Sequence, residues 1–479
     1  MKQGEQDYDL AILGNGAAAF SAAIKATELS QGEMKIAMVG VGPLGGTCVN
    51  VGCVPSKYII EASKAIFNPA HPRISGISGN RVEYNFRDLM RGLRSYISDS
   101  RKRKYEDVIE SYGNVVYFEG LGRFNGNKKI GVTDKAGRRI ASIRASIVLI
   151  ATGSRPAIPS IKGLECSSFL TSDTIWRLDS LPLSVAVIGG GAVGLELGQA
   201  LQYLGSEVTI VEKKSSVLPQ TEPEIGAVLE NLLKEEGVRV NLNTKIVEIN
   251  ETNGGRSIRF MKGGKVEKVD VEEIIVAAGR VPNTDRLSLD SVGVKIDPKG
   301  GILTSSSMET NIPGIYAAGD CVSKNIYLET LAAREGVAAV SNMFGLDTTI
   351  DYDSTPWAVF TTPQVAGVGM TEIEFLRKGG SVVSRTLKLE NLIKAGITGE
   401  TNGLIKLVLN AKNNKIIGLH ILAPIASEII TEGAYAIKYG YTMEDIISTT
   451  HTFPSFSEGI KLAAQSFLRD ITKMSCCVE

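Results

Sequence analysis

The sequence predicts an α/β protein in which one strand–turn–helix plan occurs twice, followed by an α+β domain. Three observations predict it. First, an apolar strand from Tyr8 to Leu13 runs into Gly14-Asn15-Gly16-Ala17-Ala18-Ala19 and an alanine-rich helix to about Leu29. Second, the plan returns at Val185 to Ile188, followed by Gly189-Gly190-Gly191-Ala192-Val193-Gly194-Leu195-Glu196. Third, the pattern changes from about Ile350. Gly403 to Leu409 and Ile416 to Leu422 read as antiparallel strands around the turn Asn410 to Lys415, with helices at about Ala426 to Tyr439 and Glu458 to Leu468.

In each copy, small residues stand where a pyrophosphate must approach the backbone, and the helix start offers its free N–H groups to the anion. These are Rossmann-like dinucleotide-binding motifs, and two of them make an internal repeat. The candidate phosphate-loop residues are Gly14, Gly16, Ala17 and Ala18 in the first copy, and Gly189, Gly191 and Gly194 in the second. The second strand of each copy is expected to end in an acid that binds a ribose. In the first copy, Lys35 to Val39 is followed by Gly40 and Val41, so that acid is missing. In the second, Val208 to Val211 ends in Glu212, which favours NADH; Lys213 and Lys214 follow and suit a 2′-phosphate, leaving NADH and NADPH both open. Ser146 to Ala151 ends in the tight turn Thr152-Gly153, and Val271 to Gly279 repeats that pattern.

Composition is that of a globular protein of several domains. The chain has 479 residues, 43% hydrophobic and 22% charged, too many for one ordinary core. Acidic and basic residues balance at 52 each, which gives no electrostatic footprint for nucleic acid. No signal peptide is evident, and no apolar run is long enough to span a membrane, so a cytoplasmic protein without a membrane partner is expected. Six cysteines in so long a chain do not make a disulfide scaffold. From Glu61 to about Ser111 the pattern reads as helical and charged, with Arg101 to Lys104 on a solvated face.

The chemistry centres on Gly45-Gly46-Thr47-Cys48-Val49-Asn50-Val51-Gly52-Cys53-Val54-Pro55-Ser56-Lys57. Paired cysteines in such a chain are more often catalytic or metal-binding than structural. Pro55 predicts a helix opening here, which puts Cys53 at its positive end, where a thiolate is favoured.

This stretch resembles the redox-active disulfide of the flavin-dependent pyridine nucleotide-disulfide oxidoreductases. The resemblance implies that Cys53 is the flavin-side thiol and Cys48 the interchange thiol, with Gly46, Thr47 and Lys57 beside the flavin. Glu196 matches the glutamate that pairs with that lysine. Thr310 to Asp320 resembles the family's flavin-ribityl motif, so Asp320 would bind the ribityl chain of FAD. The two dinucleotide domains are then nested: 1–155 and 280–350 form the FAD-binding domain around an NAD(P)-binding domain at 156–279. Thr152, Gly153 and Gly279 belong to the cofactor sites, and Ala192 stands where many relatives carry a nicotinamide-gating tyrosine. Residues 351–479 resemble the family's dimerisation domain, which implies a homodimer with shared active sites.

Two places set the substrate. In His451-Thr452-Phe453-Pro454-Ser455-Phe456-Ser457-Glu458, Phe453 takes the position where relatives that reduce organic disulfides carry a proton-donating histidine. Phenylalanine transfers no proton, and losing such help typically costs roughly 10²–10⁴-fold in rate. His451 stands two positions off, as a substitute acid, a polar packing residue or an entrance residue. The tail Lys473-Met474-Ser475-Cys476-Cys477-Val478-Glu479 offers two soft thiols at a chain end, which suits a soft metal ion. Together with Glu458 to Gln465, these features resemble the mercury-reducing branch of the family. That resemblance implies that Cys476 and Cys477 deliver Hg(II) to Cys48 and Cys53 of the partner subunit. An apolar shell around Phe453 would exclude competing thiols. Ser455 departs from a tyrosine common in that branch, and the chain reads as a core-only form without an N-terminal metal-binding domain. Cys166 and Cys321 read as packing thiols, and His71 and His420 as surface or strand residues.

Overall fold

The computed structural model describes residues 5–474, which fall into two compact units. Cys476 and Cys477 lie outside the described residues.

The first unit comprises Met1–Pro55, Met90–Ala157 and Gly279–Ile350. Its central strand, Gln6–Leu13, lies parallel to Ile36–Gly40 on one side and to Arg139–Ile150 on the other. Val115–Glu119 and Ile315–Ala317 extend the parallel sheet at its two flanks. Leu10, Ala11, Ile12 and Leu13 are all buried, because a central parallel strand is covered on both faces and cannot alternate with polar residues. The antiparallel pair Leu121–Phe124 and Lys129–Thr133 joins through the first half of Arg139–Ile150. The helix Ala17–Leu29 buries Ala18, Ala19, Ala22, Ala23 and Ala26, whose small side chains let it lie close to its neighbours.

The second unit comprises Ser56–Leu89, Ile158–Ala278 and Asp351–Glu479. It holds a parallel sheet in the order Arg239–Asn241, Glu207–Val211, Ser184–Ile188, Glu273–Val276, Leu170–Thr171. A three-stranded antiparallel sheet, Lys245–Thr252, Gly255–Lys262 and Lys265–Val271, follows. Its last part is an antiparallel sheet of Trp357–Val359, Gln364–Gly369, Ile416–Ala423, Leu404–Asn410 and Val382–Lys388. The helices Ala426–Tyr439 and Glu458–Gln465 pack on that sheet around Leu407, Leu419 and Ile460.

The expected helical stretch from Glu61 to Ser111 is interrupted. One helix, Cys53–Phe67, ends before a short 3₁₀ turn at Asn68–Ala70, and the next begins only at Phe86. Pro69, Pro72, Gly76 and Gly79 lie between them, and proline removes the donors a continuing helix needs. The charge periodicity on either side conceals this break.

Candidate active site

The two glycine loops are shaped by backbone contact. Gly14 has φ +148°, and a Cβ there would lie 2.0 Å from the Ala151 carbonyl oxygen. A Cβ on Gly46 would come within 2.6 Å of Gly16 Cα, so this part of the chain admits no side chain. The helix Ala17–Leu29 starts at Gly16 with no side-chain cap and no acid in its first turn. Ala192–Leu204 starts at Gly191 in the same way. Both helix starts therefore keep N–H groups for an anion. Around Gly189, a Cβ on Gly194 would meet its carbonyl oxygen at 2.0 Å. These cradles fit a dinucleotide.

The missing acid at Gly40 has a structural counterpart. The Asn15 side chain occupies that place, its amide donating to the carbonyls of Val41, Gly42 and Pro43 at 3.1–3.3 Å. A Cβ on Gly40 would lie 2.6 Å from Asn15 Cβ. In the second copy Glu212 is buried, and its two carboxylate oxygens accept the N–H groups of Gly190 and Lys214, each at 2.7 Å. The acid is thus fixed against its own glycine loop, with lone pairs left for ribose hydroxyls.

Asp320 accepts a hydrogen bond from Ser154 Oγ at 2.6 Å, and burial raises its pKa. Arg280 Nε also donates to Ser154 Oγ, at 2.7 Å. Thr152 Oγ1 donates to the Asn283 carbonyl, and Asn283 returns its amide to the Thr152 carbonyl, which fixes the turn at Gly153. Gly279 accepts from the Ala157 N–H with its carbonyl.

The cysteine stretch folds as two short steps. Gly45, at φ +90°, precedes the helical turn Gly46–Asn50 that carries Cys48, and Cys53 opens the helix Cys53–Phe67. Neither sulfur is joined in a disulfide. Cys48 Sγ donates to Glu329 Oε2 at 2.9 Å, and the donor atoms of Cys48, Cys53 and Glu329 lie within 4.8 Å of one another. The neighbouring Cys53 sulfur, then burial and Glu329, raise the Cys48 pKa strongly. Burial, and then the nearby Glu329 carboxylate, raise the Tyr105 pKa. One helical turn beyond Cys53, Lys57 meets Glu196 at 2.8 Å and lies over the Phe360 ring.

Phe453 is 49% exposed in the single chain, so the expected burial around it is not provided by this subunit's described residues. Glu458 Oε2 is buried without a hydrogen-bond partner, and burial raises the Glu458 pKa. Both ring nitrogens of His451 are engaged, by the Thr449 carbonyl at 3.0 Å and Glu432 Oε1 at 2.9 Å. Both partners are acceptors, and the Glu432 hydrogen bond raises the His451 pKa. Ser455 Oγ is turned to the Thr452 carbonyl. Cys321 is fully buried and pushed up to about 12 by burial, a packing thiol as expected. Cys166 is exposed at a short 3₁₀ turn, so it does not pack.

Sequence reasoning missed Asn15, Tyr105, Glu329 and Phe360. Asn15 was legible as the one side chain within the first glycine loop. The others reach the site from distant segments, and no spacing announces them.

The pyridine nucleotide-disulphide oxidoreductase family profile matches residues 8–336, and the dimerisation domain of the same family matches 355–464. Curated relatives include mercuric reductases from Streptomyces lividans, 36% identical over all of both chains, and from Lysinibacillus sphaericus, 35% identical over 99% of this chain and 85% of that one. One from Staphylococcus aureus is 36% identical over 98% of this chain and 84% of its own. Among solved structures, LpdA from Mycobacterium tuberculosis is 26% identical, with a TM-score of 0.85 over 97% of this chain and all of its own. The flavoprotein disulfide reductase RclA from Escherichia coli shares the fold, with a TM-score of 0.84 at 21% identity over 98% of this chain and all of its own. With that profile covering most of its length, the chain belongs to the pyridine nucleotide-disulphide oxidoreductase family.

Proposed function

We propose that this chain reduces Hg(II) to Hg(0) with electrons from NAD(P)H, through FAD and the Cys48–Cys53 pair. One observation carries the reading: two cysteine sulfurs are held side by side without a disulfide, in a chain whose residue before Pro454 is Phe453 and not an imidazole. Likeness to mercuric reductases along the whole chain supports the same substrate.

Gly14, Gly16, Ala17, Ala18, Gly46, Thr47, Lys57, Thr152, Gly153 and Asp320 would hold FAD. Gly189, Gly191, Gly194, Glu212 and Gly279 would hold the nicotinamide dinucleotide, with Glu212 favouring NADH. Bound FAD supplies a two-electron relay from the nicotinamide hydride. The FAD-binding domain is then 1–155 with 280–350, the NAD(P)-binding domain 156–279, and the dimerisation domain 351–479.

The thiols do the metal chemistry. Hg(II) prefers two thiolates and moves by ligand exchange, the new sulfur bonding before the old one leaves. The partner subunit's Cys476 and Cys477 hand the ion to Cys48 and Cys53 of this one. Cys53 at its helix start is favoured as thiolate. Each transfer exchanges one sulfur for another and requires no proton donor, so Phe453 costs nothing. The balance is NAD(P)H plus Hg(II) giving NAD(P)⁺, a proton and Hg(0), which no longer holds to sulfur and leaves.

The test is NAD(P)H oxidation by the purified flavoprotein with and without HgCl₂ in excess thiol, with volatile mercury trapped. We expect oxidation to depend on Hg(II), with mercury released in step. Equal oxidation with and without Hg(II) would overturn the reading.

A further inference from the structure

Glu329 has no part in the reaction just described, yet it touches its centre. It stands at the first position of the helix Glu329–Met343, in a segment far from the cysteines in sequence. Its Oε2 accepts from Cys48 Sγ at 2.9 Å, and its donor oxygen and both sulfurs lie within 4.8 Å of one another. The Tyr105 hydroxyl feels the same carboxylate, whose negative charge, after burial, raises its pKa. Tyr105 is itself fixed, its ring edge against Phe20 at 4.9 Å between centroids.

We propose that Cys48, Cys53 and Glu329 form a three-donor site for a borderline divalent cation of the zinc class, with Glu329 as the oxygen ligand and Tyr105 holding it in place. Ligand geometry supports this. Zinc bonds sulfur at about 2.3 Å and carboxylate oxygen at about 2.0–2.2 Å, so tetrahedral donors stand roughly 3.5–3.8 Å apart. Cys48 Sγ and Glu329 Oε2, 2.9 Å apart, need to open by about 0.6 Å, and the other separations, within 4.8 Å, need to close by about 1.3 Å at most. The ion takes the place of the proton now shared between Cys48 and Glu329. Two thiols and a carboxylate with an open fourth position match the donor count of zinc sites that keep a water. The carboxylate is what separates the metals: a soft ion such as Hg(II) is satisfied by the two sulfurs, whereas a borderline ion gains from the oxygen.

The step conserves charge and electrons. The ion binds to the Cys53 thiolate and displaces the proton of Cys48, which passes to solvent, and no oxidation state changes. Zinc has no redox chemistry, so it occupies the pair without being reduced and stands in the way of the metal that is. Glu329 thus determines how strongly such ions compete for the pair. The inference rests on Cys48 and Cys53 acting as a reduced pair, not on turnover of Hg(II).

The experiment measures Zn(II) binding to the two-electron-reduced flavoprotein under anaerobic conditions, by competition with a chromophoric chelator. Full-length chains with Cys476→Ala and Cys477→Ala remove the tail thiols from the count, and the bound-flavin spectrum checks folding. We expect one Zn(II) per chain, lost in Cys48→Ala. Glu329→Gln, nearly isosteric, should weaken binding about 10–100-fold, and Tyr105→Phe about 10-fold through the loosened carboxylate. Equal Zn(II) affinity in Glu329→Gln and its parent would overturn the site, as would binding that survives Cys48→Ala. Glu329-dependent Zn(II) binding in a protein whose NAD(P)H oxidation ignores Hg(II) would uphold this site while removing the mercury reading.

Discussion

Lys57 Nζ lies 2.8 Å from Glu196 Oε2, an ion pair between residues 139 positions apart. The other oxygen, Glu196 Oε1, accepts the Phe360 N–H at 2.8 Å, and the Lys57 ammonium lies 4.4 Å from the centre of the Phe360 ring. One buried carboxylate therefore fixes a lysine and a backbone amide together. Replacing it by alanine leaves the Phe360 N–H and the lysine without their acceptor. Because Lys57 is about a third exposed, water recovers part of its loss, and Glu196→Ala should cost about 2 kcal/mol. Glu196→Gln, which keeps an acceptor, should cost less. The check is the urea midpoint at constant m-value. An unchanged midpoint in Glu196→Ala would make the pair incidental to the fold.

Cys53 opens its helix while Cys48 is hydrogen-bonded to Glu329, and the two thiols should separate in their spectra. Cys53→Ala should abolish the thiolate-to-flavin charge-transfer absorbance of the two-electron-reduced protein. Cys48→Ala should retain an absorbance of that kind, because the thiolate at the positive helix end remains. Absorbance that persists in Cys53→Ala would reverse the two assignments.

The tail thiols are expected to act on delivery alone. Cys476→Ala with Cys477→Ala should slow turnover of thiol-complexed Hg(II) while flavin reduction by NAD(P)H keeps its rate. Stopped-flow reduction without metal, compared with steady-state turnover, separates the two. A parallel loss of flavin reduction would mean the tail supports the fold or the nucleotide site instead.

Local pattern carried most of the fold. The helices Ala17–Leu29 and Ala426–Tyr439 have the bounds their periodicity predicts, because small or apolar faces and glycine stops are local signals. The thiol pair was legible for the same reason: Gly45, Gly46 and Pro55 fix its turns within a few residues. Glu329 and Phe360 were not, since each reaches its partner across more than a hundred residues and nothing in its neighbourhood marks it. The break after Phe67 was hidden by charge patterning that continues on both sides of two prolines. Cys166 was misread although Glu165, Ser167 and Ser168 around it are polar: its turn buries Leu164 and leaves the thiol exposed, and a single cysteine carries no periodicity to show which side it takes.

Acid should weaken the second unit through His420. Its ring is 1% exposed, Nε2 donates to the Met370 carbonyl at 3.1 Å, and Nδ1 has no partner. Glu222, Glu374 and Lys406 face it, and burial outweighs the two carboxylates, lowering its pKa. The neutral ring is thus the folded form. As pH falls below about 6.5 the unfolded chain takes up the proton first, so the His420 contribution is full above that pH and is lost toward the folded pKa, by at most ~1.4 kcal/mol per pH unit. His451, its pKa raised, instead contributes stability that is lost as pH rises above about 6.5. Glu372, held low by Lys406, adds its loss only below about pH 4.5. Urea midpoints from pH 8 to pH 5 check this, and His420→Gln should flatten the slope. An identical slope in that variant would assign the acid sensitivity elsewhere.

In the proposed reaction Phe453 takes the place of a proton donor, and Glu458 still follows five positions on. Glu458 Oε2 is buried without a partner, and its pKa is raised by that burial. An unpaired buried carboxylate oxygen costs free energy that an imidazole N–H would recover. Phe453→His should therefore supply both the missing proton donor and a partner for Glu458. We expect reduction of small organic disulfides to rise by roughly 10²-fold or more over the parent, with a bell-shaped pH profile that the parent lacks. Adding Glu458→Gln should remove most of the gain, because the ring then has no carboxylate to orient it and stabilise its charge. A folded, flavin-loaded Phe453→His protein with no gain would show that the position before Pro454 does not decide between metal and disulfide as substrate.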